Sequence, residues 1–484
     1  MRFLRFPSAF VLVAAACGDA TGPEGGEGLR LLTAEQTDTA LATLAQALVV
    51  EVRDSTGRPA AGITVRFDAL VTDTTSYASY SLELAPLSSS EFRGFVAEST
   101  DADGRAVVLV RLGMRAGPAA ALVSVPTLGY VDTAAFTVVP GAPAFVLLTP
   151  SDTALFVGGT FSLASLVMDR WGNGRPETPT STALDPQLTV SSEGTVTAQA
   201  VGRARVAVTY GAASDTARVS VVPAGAFAAS AEDGIVTVRL DGSQLQRFPL
   251  TLPYNGAYPS WMPGGSTLVV ERGPYQGRLA LLTLASGEFT DVVTGADSGL
   301  VDHAWPSATR DGSWIYFAGV LSGSVAIWRV TPAGAELSRI GPVAQYYEVD
   351  SYPSPSPDGT RLAIYTLRSG VDPKLATLDV GSGAITSLGV RGVSPRWAPT
   401  SDRIAYVEED FVQTAGVWII NADGTGNTRL TPADRAYRLG LDWSPDEAWI
   451  LASTPSGIDL INVATGVVLP LPFTAGWHQP AWRP

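Results

Sequence analysis

Tyr352-Pro-Ser-Pro-Ser-Pro-Asp-Gly359 is one copy of a phrase that recurs through the second half of the chain. Other copies are Tyr258-Pro-Ser-Trp-Met-Pro-Gly-Gly265, Trp305-Pro-Ser-Ala-Thr-Arg-Asp-Gly312 and Ser394-Pro-Arg-Trp-Ala-Pro399. Leu441-Asp-Trp-Ser-Pro-Asp446 and Gln479-Pro-Ala-Trp-Arg-Pro484 complete the series, with copies spaced 39 to 47 residues apart. Self-similarity at that period marks an array of like units, and it takes precedence over any local reading.

A second phrase interleaves with the first, an apolar strand running into a tight turn. It is seen in Val236-Thr-Val-Arg-Leu-Asp-Gly242, Val417-Trp-Ile-Ile-Asn-Ala-Asp-Gly424 and Leu460-Ile-Asn-Val-Ala-Thr-Gly466, among six copies. Asp-Gly and Ser-Gly supply the positive φ that a hairpin turn needs. A further strand lies between the phrases, as in Thr267-Leu-Val-Val-Glu271 and Arg361-Leu-Ala-Ile-Tyr365. Four short strands per unit is the content of a β-propeller blade. The two series are offset, because an apolar strand comes first and a proline–tryptophan phrase comes last. Ring closure predicts that offset: the final copy supplies the innermost strand of a blade whose other strands come from 226–250, which removes exposed sheet edges.

The phrases resemble the TolB-type propeller repeat, with its Pro-x-Trp-Ser-Pro-Asp-Gly core, over residues 226–484. Ala308 and Pro355 replace tryptophan in two copies. The expectation is an all-β chain whose last domain is a six-bladed propeller. Its tryptophans would wedge between blades, and Pro-Asp-Gly would make a turn.

Ahead of the repeats, 29–141 alternates apolar and polar residues in short runs, as in Leu48-Val-Val-Glu-Val-Arg53 and Ala106-Val-Val-Leu-Val-Arg111. Turn signals separate the runs, so the segment reads as a β-sandwich. It resembles bacterial Ig-like domains of the intimin and invasin type, apart from a polar insert at 71–99 read as an enlarged loop or an extra hairpin. Residues 142–222, with Leu166-Val-Met-Asp-Arg-Trp-Gly-Asn-Gly174 and Val201-Gly-Arg-Ala-Arg-Val-Ala-Val208, resemble the group-2 bacterial Ig-like domain, the stretch 175–184 departing from its pattern. Without an aromatic cluster or a carboxylate constellation, both modules read as spacers.

Residues 1–17 begin with Arg2 and Arg5, run through Ala9-Phe-Val-Leu-Val-Ala-Ala-Ala16 and reach Cys17. A basic start and a short apolar run ending in small residues make a secretory signal, too short to span a bilayer. Ala14-Ala-Ala-Cys17 resembles the lipobox of bacterial lipoproteins, which implies that Cys17 becomes lipidated and holds the protein at a membrane. Gly18 after it implies the outer membrane by the family's sorting habit. Residues 18–28, rich in Gly, Pro and Glu, read as a flexible tether.

At 484 residues the length suggests about three domains. The formal net charge of −14 gives no gain from counterion release on phosphate backbones, which argues against nucleic acid as a partner. One cysteine allows no intrachain disulfide, and two histidines nearly exclude a multi-histidine metal site. No cofactor or metal motif stands out. Neither does the Gly-x-Ser-x-Gly elbow of a serine hydrolase.

In this fold the proline–tryptophan strand is innermost, so residues just before each proline should line the mouth of the central channel. They include Tyr258, Asp302, His303, Asp350, Tyr352, Arg438 and His478, with both histidines of the chain among them. Convergent polar groups on a concave axis are the default place for a ligand. The expected role is non-catalytic: a lipid-anchored stalk presenting a propeller that binds an envelope protein or a glycan. The alternatives are a propeller enzyme acting on polysaccharide and a purely structural surface protein.

Overall fold

The computed structural model describes residues 26–33, 35–71, 80–250, 257–272, 278–293, 299–342, 348–371, 374–408 and 415–484. Cys17 and the signal segment lie outside them. The described chain is all-β, with one short 3-10 turn at Pro472–Thr474. By contacts it divides into two units. The first holds residues Met1–Leu147 with Leu166–Thr178 and Tyr210–Ala213.

In that unit a four-stranded and a five-stranded sheet face each other. Alternation puts one side of each strand inward: in Arg105–Leu112 the residues Ala106, Val108, Val110 and Leu112 are buried. With Val50, Phe67 and Val123 they form one core shared by both sheets. The polar insert contributes more than a loop. Leu82–Pro86 pairs with Arg105–Leu112 in one sheet, and Phe95–Ser99 pairs with Thr64–Ala69 in the other. Asp169 is fully buried and accepts backbone N–H groups from Gly141, Trp171 and Asn173. That charge is structural, because its acceptor sites are filled.

The second unit holds the remaining residues to Pro484. It includes a four-stranded and a three-stranded sheet within 152–222. There Asp152–Phe156 runs parallel to the end of Ala213–Val222. Thr180–Ala183, inside the stretch that departs from the Ig-like pattern, is a strand paired with 206–209.

Six four-stranded antiparallel sheets follow. We number them I to VI by their first strands, Ser260–Trp261, Val301–Ala308, Asp350–Pro355, Gly392–Trp397, Leu441–Trp443 and His478–Trp482. Sheet VI takes its other strands from Ala226–Ala231, Gly234–Arg239 and Gln246–Pro249. Phe227 faces Trp482 and Ser230 faces His478 in that junction, as the offset of the phrases predicts. The first strands of I to VI touch in order, and that of VI touches that of I. The sheets therefore form a closed, propeller-type ring with these strands on its axis.

The tryptophans of the phrase pack between neighbouring sheets. Trp443 is 3% exposed in a cluster with Ala405 and Val407 of sheet IV and Ile450 of sheet V. Its indole donates to the Arg396 carbonyl at 3.0 Å, and the Arg403 guanidinium covers its face at 5.2 Å. Trp261 repeats the arrangement with the Ala481 carbonyl and Arg483. The Ser-Pro-Asp-Gly segment locks its own turn. Ser356 donates to Asp358 at 2.6 Å, and the hydrogen bonds to Asp358 from Ser356 and Thr360 hold its carboxyl down at about 2.

Candidate functional site

In or just ahead of each first strand stands a left-handed residue at the same place, immediately before the proline or its equivalent. These are Tyr258 (φ 39°), Trp305 (54°), Tyr352 (54°), Ser394 (53°), Gly440 (107°) and Gln479 (52°). A non-glycine residue in this region costs roughly 1 kcal/mol or more. Repetition in all six sheets marks it as part of the architecture. The strands of sheets II, III, IV and VI bulge beside it, which re-aims the side chains that follow. Gly440 has a further reason to be glycine: a Cβ there would lie 2.6 Å from the Gln479 Cα.

The left-handed residues of sheets I to III form an aromatic cluster on the axis. Tyr258 and Trp305 meet edge-to-face with centroids 6.0 Å apart, and Trp305 lies 4.3 Å from Tyr352. Burial raises the pKa of both tyrosine hydroxyls.

Two residues on, beyond each left-handed position, stand Ser260, Ser307, Ser354, Arg396, Asp442 and Ala481. All six line one cavity of about 390 Å³, so that cavity lies on the ring axis. Three of these side chains tie adjacent sheets together. Ser260 accepts the N–H of Ala308 at 3.2 Å, Ser354 that of Trp397 at 2.8 Å, and Asp442 that of Trp482 at 2.8 Å. Asp442 also accepts its neighbour's N–H from Trp443. Burial raises the Asp442 pKa, with Arg396 pulling the other way, and burial lowers the Arg396 pKa against the pull of Asp442. Arg310 is the second cation in its lining.

A larger cavity, of about 590 Å³, lies between sheets IV, V and VI. Arg438 and His478 line it together with Glu408, Tyr437, Trp477 and Gln479. His478 Nδ1 lies 3.0 Å from the Ser230 carbonyl.

The structure thus brings together Tyr258 and Tyr352, and separately Arg438 and His478. It does not join Asp302, His303 or Asp350 to either group. Asp302 is exposed, and His303 is fully buried against Phe317 with ring centroids 5.5 Å apart. Asp350 is 2% exposed and paired with Arg368, whose Nη2 lies 2.6 Å from Oδ2, while Thr366 donates to Oδ1 at 2.7 Å. Arg396 and Asp442 were missed because they follow the proline position, inside the part of the phrase read as packing. A signal existed. That position is Ser, Ser, Ser and Ala in four copies but Arg and Asp in two adjacent ones.

Among the described residues, the lining of each cavity has one carboxylate, Asp442 or Glu408. No group of three or more His, Cys, Asp or Glu side chains among the described residues is arranged to hold a metal ion.

No family model matches the chain. A stretch of 115 residues is 32% identical to an uncharacterised protein of Agrobacterium fabrum, covering 21% of this chain and 38% of that protein. The chain therefore spans well under half the length of that curated relative. Among solved structures, TolB from Acinetobacter baumannii is 16% identical with a TM-score of 0.45, covering 63% of this chain and 83% of that one. An oligogalacturonate lyase in complex with manganese is 18% identical with a TM-score of 0.34, covering 51% and 72%. Likeness at this level assigns no activity, substrate or partner.

Proposed function

We propose that the chain is a non-catalytic binding protein of the bacterial cell envelope. Two Ig-like modules, 29–141 and 142–222, act as a stalk for a six-bladed propeller whose axial channel takes an extended segment of an envelope protein. Lipidation at Cys17 anchors the chain to the outer membrane. The observation that carries the reading is the axial cavity: six sheets each direct one side chain into a space of about 390 Å³. That is the size of a ligand site, in the place where ring architectures concentrate polar groups.

The lining favours protein over glycan. Sugar rings need open aromatic faces, whereas Trp261, Trp397, Trp443 and Trp482 are buried between sheets at 3% to 8% exposure. It also favours binding over two-carboxylate hydrolysis, which needs a pair of acids, because the described lining of each cavity has one.

Pro263 and Pro445 are exposed at the cavity rim on different sheets. Replacing both with tryptophan covers the opening without touching the core. Crosslinking and recovery of the membrane-anchored protein should lose its envelope partner in this double variant, and equal recovery overturns the channel reading. For the anchor, Cys17→Ala should move the protein from the membrane to the soluble fraction. Continued membrane association overturns lipidation at this residue.

A further inference from the structure

We infer that Arg396, assisted by Arg310, is a carboxylate-binding subsite in the axial channel, so that the bound segment carries an aspartate or glutamate side chain there. The inference rests on the channel-binding reading above and adds the chemistry of the ligand.

Arg396 is an anomaly among the inward-facing residues of the ring. A guanidinium keeps its charge at every physiological pH and offers five N–H donors in a fixed fork. Its Nη1 is buried and has no hydrogen-bond partner among the described residues. Among those residues no carboxylate lies within 4.0 Å of its side chain. Arg368, which is buried in the ring, shows the ordinary solution: it is forked onto Asp350 and donates to the Pro342 carbonyl as well.

Asp442 is the nearest candidate to neutralise Arg396, and its charge does favour the guanidinium. Its two oxygens, however, are committed to the N–H groups of Trp443 and Trp482. That arrangement fixes the carboxylate to the wall, and among the described residues no hydrogen bond joins it to the guanidinium. The lining holds two guanidinium groups, Arg310 and Arg396, beside one carboxylate side chain, Asp442, and Arg310 also feels the charge of Glu447. Two guanidinium groups on the axis of a chain whose formal net charge is −14 are a local feature and not a general one.

A charged donor nitrogen buried without a hydrogen-bond partner is costly, and a ligand that accepts from it removes that cost. A carboxylate matches the fork in geometry and sign, and such charge-assisted pairs are among the stronger hydrogen bonds. The tryptophans of the cavity lining are buried between sheets, which suits an extended peptide better than a stacked acidic sugar.

The test uses the full chain and fluorescence anisotropy with a labelled decapeptide alternating Gly and Glu, beside its Gly–Gln counterpart. Wild type should bind the Glu peptide at least tenfold more tightly. Arg396→Gln should abolish that preference, Arg396→Lys should retain part of it, and Arg310→Gln should weaken it by a few-fold. The thermal midpoint of Arg396→Gln should stay close to that of wild type, since glutamine keeps an amide donor at the same place. That outcome separates lost recognition from lost folding.

Equal binding of the two peptides by wild type, or an undiminished preference in Arg396→Gln, overturns the inference. Trigalacturonate bound more tightly than the Glu peptide, with the same dependence on Arg396, overturns the peptide assignment. If covering the rim at Pro263 and Pro445 blocks partner recovery while no Glu preference exists, the carboxylate subsite alone is wrong. If rim and arginine variants both behave as wild type, the channel reading has failed with it.

Discussion

The ring treats the same two backbone positions differently in its two halves. In sheets I to III the left-handed position is Tyr258, Trp305 and Tyr352, and the inward position two residues on is serine each time. In sheets IV and V the left-handed position shrinks to Ser394 and Gly440, and the inward position becomes Arg396 and Asp442. One side of the axis is filled by stacked rings, and the other by opposite charges beside a cavity. The backbone holds the geometry through repetition, which frees the side chains on it to diverge. A repeat fold can therefore place a charged site by substituting at positions that elsewhere only pack.

The turns divide in the same way. Sheets I to III end the phrase in glycine, whereas sheet V has Glu447 there, itself left-handed at φ 57°. Its carboxylate receives Thr400 and Ser401 N–H groups at 2.6 and 2.8 Å and the Arg403 guanidinium at 2.7 Å. The charged half is thus cross-linked from sheet V to sheet IV by one acid.

The comparison breaks first at the tryptophans. Trp443→Ala, in the charged half, should cost about 3–5 kcal/mol by opening a cavity between sheets and freeing the Arg396 carbonyl. Trp305→Ala removes a half-buried ring from the aromatic half and should cost less. Denaturant unfolding of both measures the gap, and equal losses would mean that the halves are mechanically alike.

Asp350→Ala should come next, at about 3 kcal/mol, because it removes the forked partner of the buried Arg368 cation and leaves Glu348, 3.5 Å from Nη1, facing it. Removing the cation as well, in the double variant Asp350→Ala/Arg368→Met, should recover part of the loss. If the single variant is instead fully stable and impaired in binding, Asp350 belongs to the site.

Acid titration is the next test. Burial works against the Glu447 charge, but hydrogen bonds from Ser401, Arg403 and Thr400 prevail and hold its pKa at about 2. A carboxyl depressed in the folded state stabilises it at pH values above the unfolded pKa. That contribution fades as pH falls from about 4.5 towards 2. It is on the order of 3 kcal/mol at neutral pH, so Glu447→Gln should lower stability at pH 7 and flatten the acid limb below pH 4.5. An unchanged acid limb refutes the cross-link.

The smallest effect is expected for Ser354→Ala, about 1 kcal/mol for one hydrogen bond between sheets III and IV. Thermal unfolding should resolve it only against a matched set of controls.

Much of the ring was legible because its repeats are marked by prolines, tryptophans and turn glycines, each with a conformational reason to recur. The strands Thr267–Arg272 and Arg361–Thr366, and the pairing of His478–Trp482 with Ala226–Ala231, follow from those marks. The site was harder to read. Counting back from a proline put Asp302, His303 and Asp350 at the mouth, but left-handed residues interrupt the alternation on which counting depends. Asp302 and Trp305 both have positive φ, and the sheet II register shifts twice between Val301 and Ser307. Neither residue type announces such a conformation, as glycine would. The insert at 71–99 hid its two strands for another reason: their partners lie in different sheets, and local pattern cannot choose between sheets.

The junction in sheet VI has a temporal side. Ser230 donates to Gln479, 249 residues further along the chain. At roughly 5–20 residues per second, ribosomal synthesis separates the two by roughly 10 to 50 s. Throughout that interval Ala226–Ala231, nearly all of it buried in the finished ring, has an apolar edge with no strand beside it. The chain must keep that edge from foreign strands until His478–Trp482 arrives beside it.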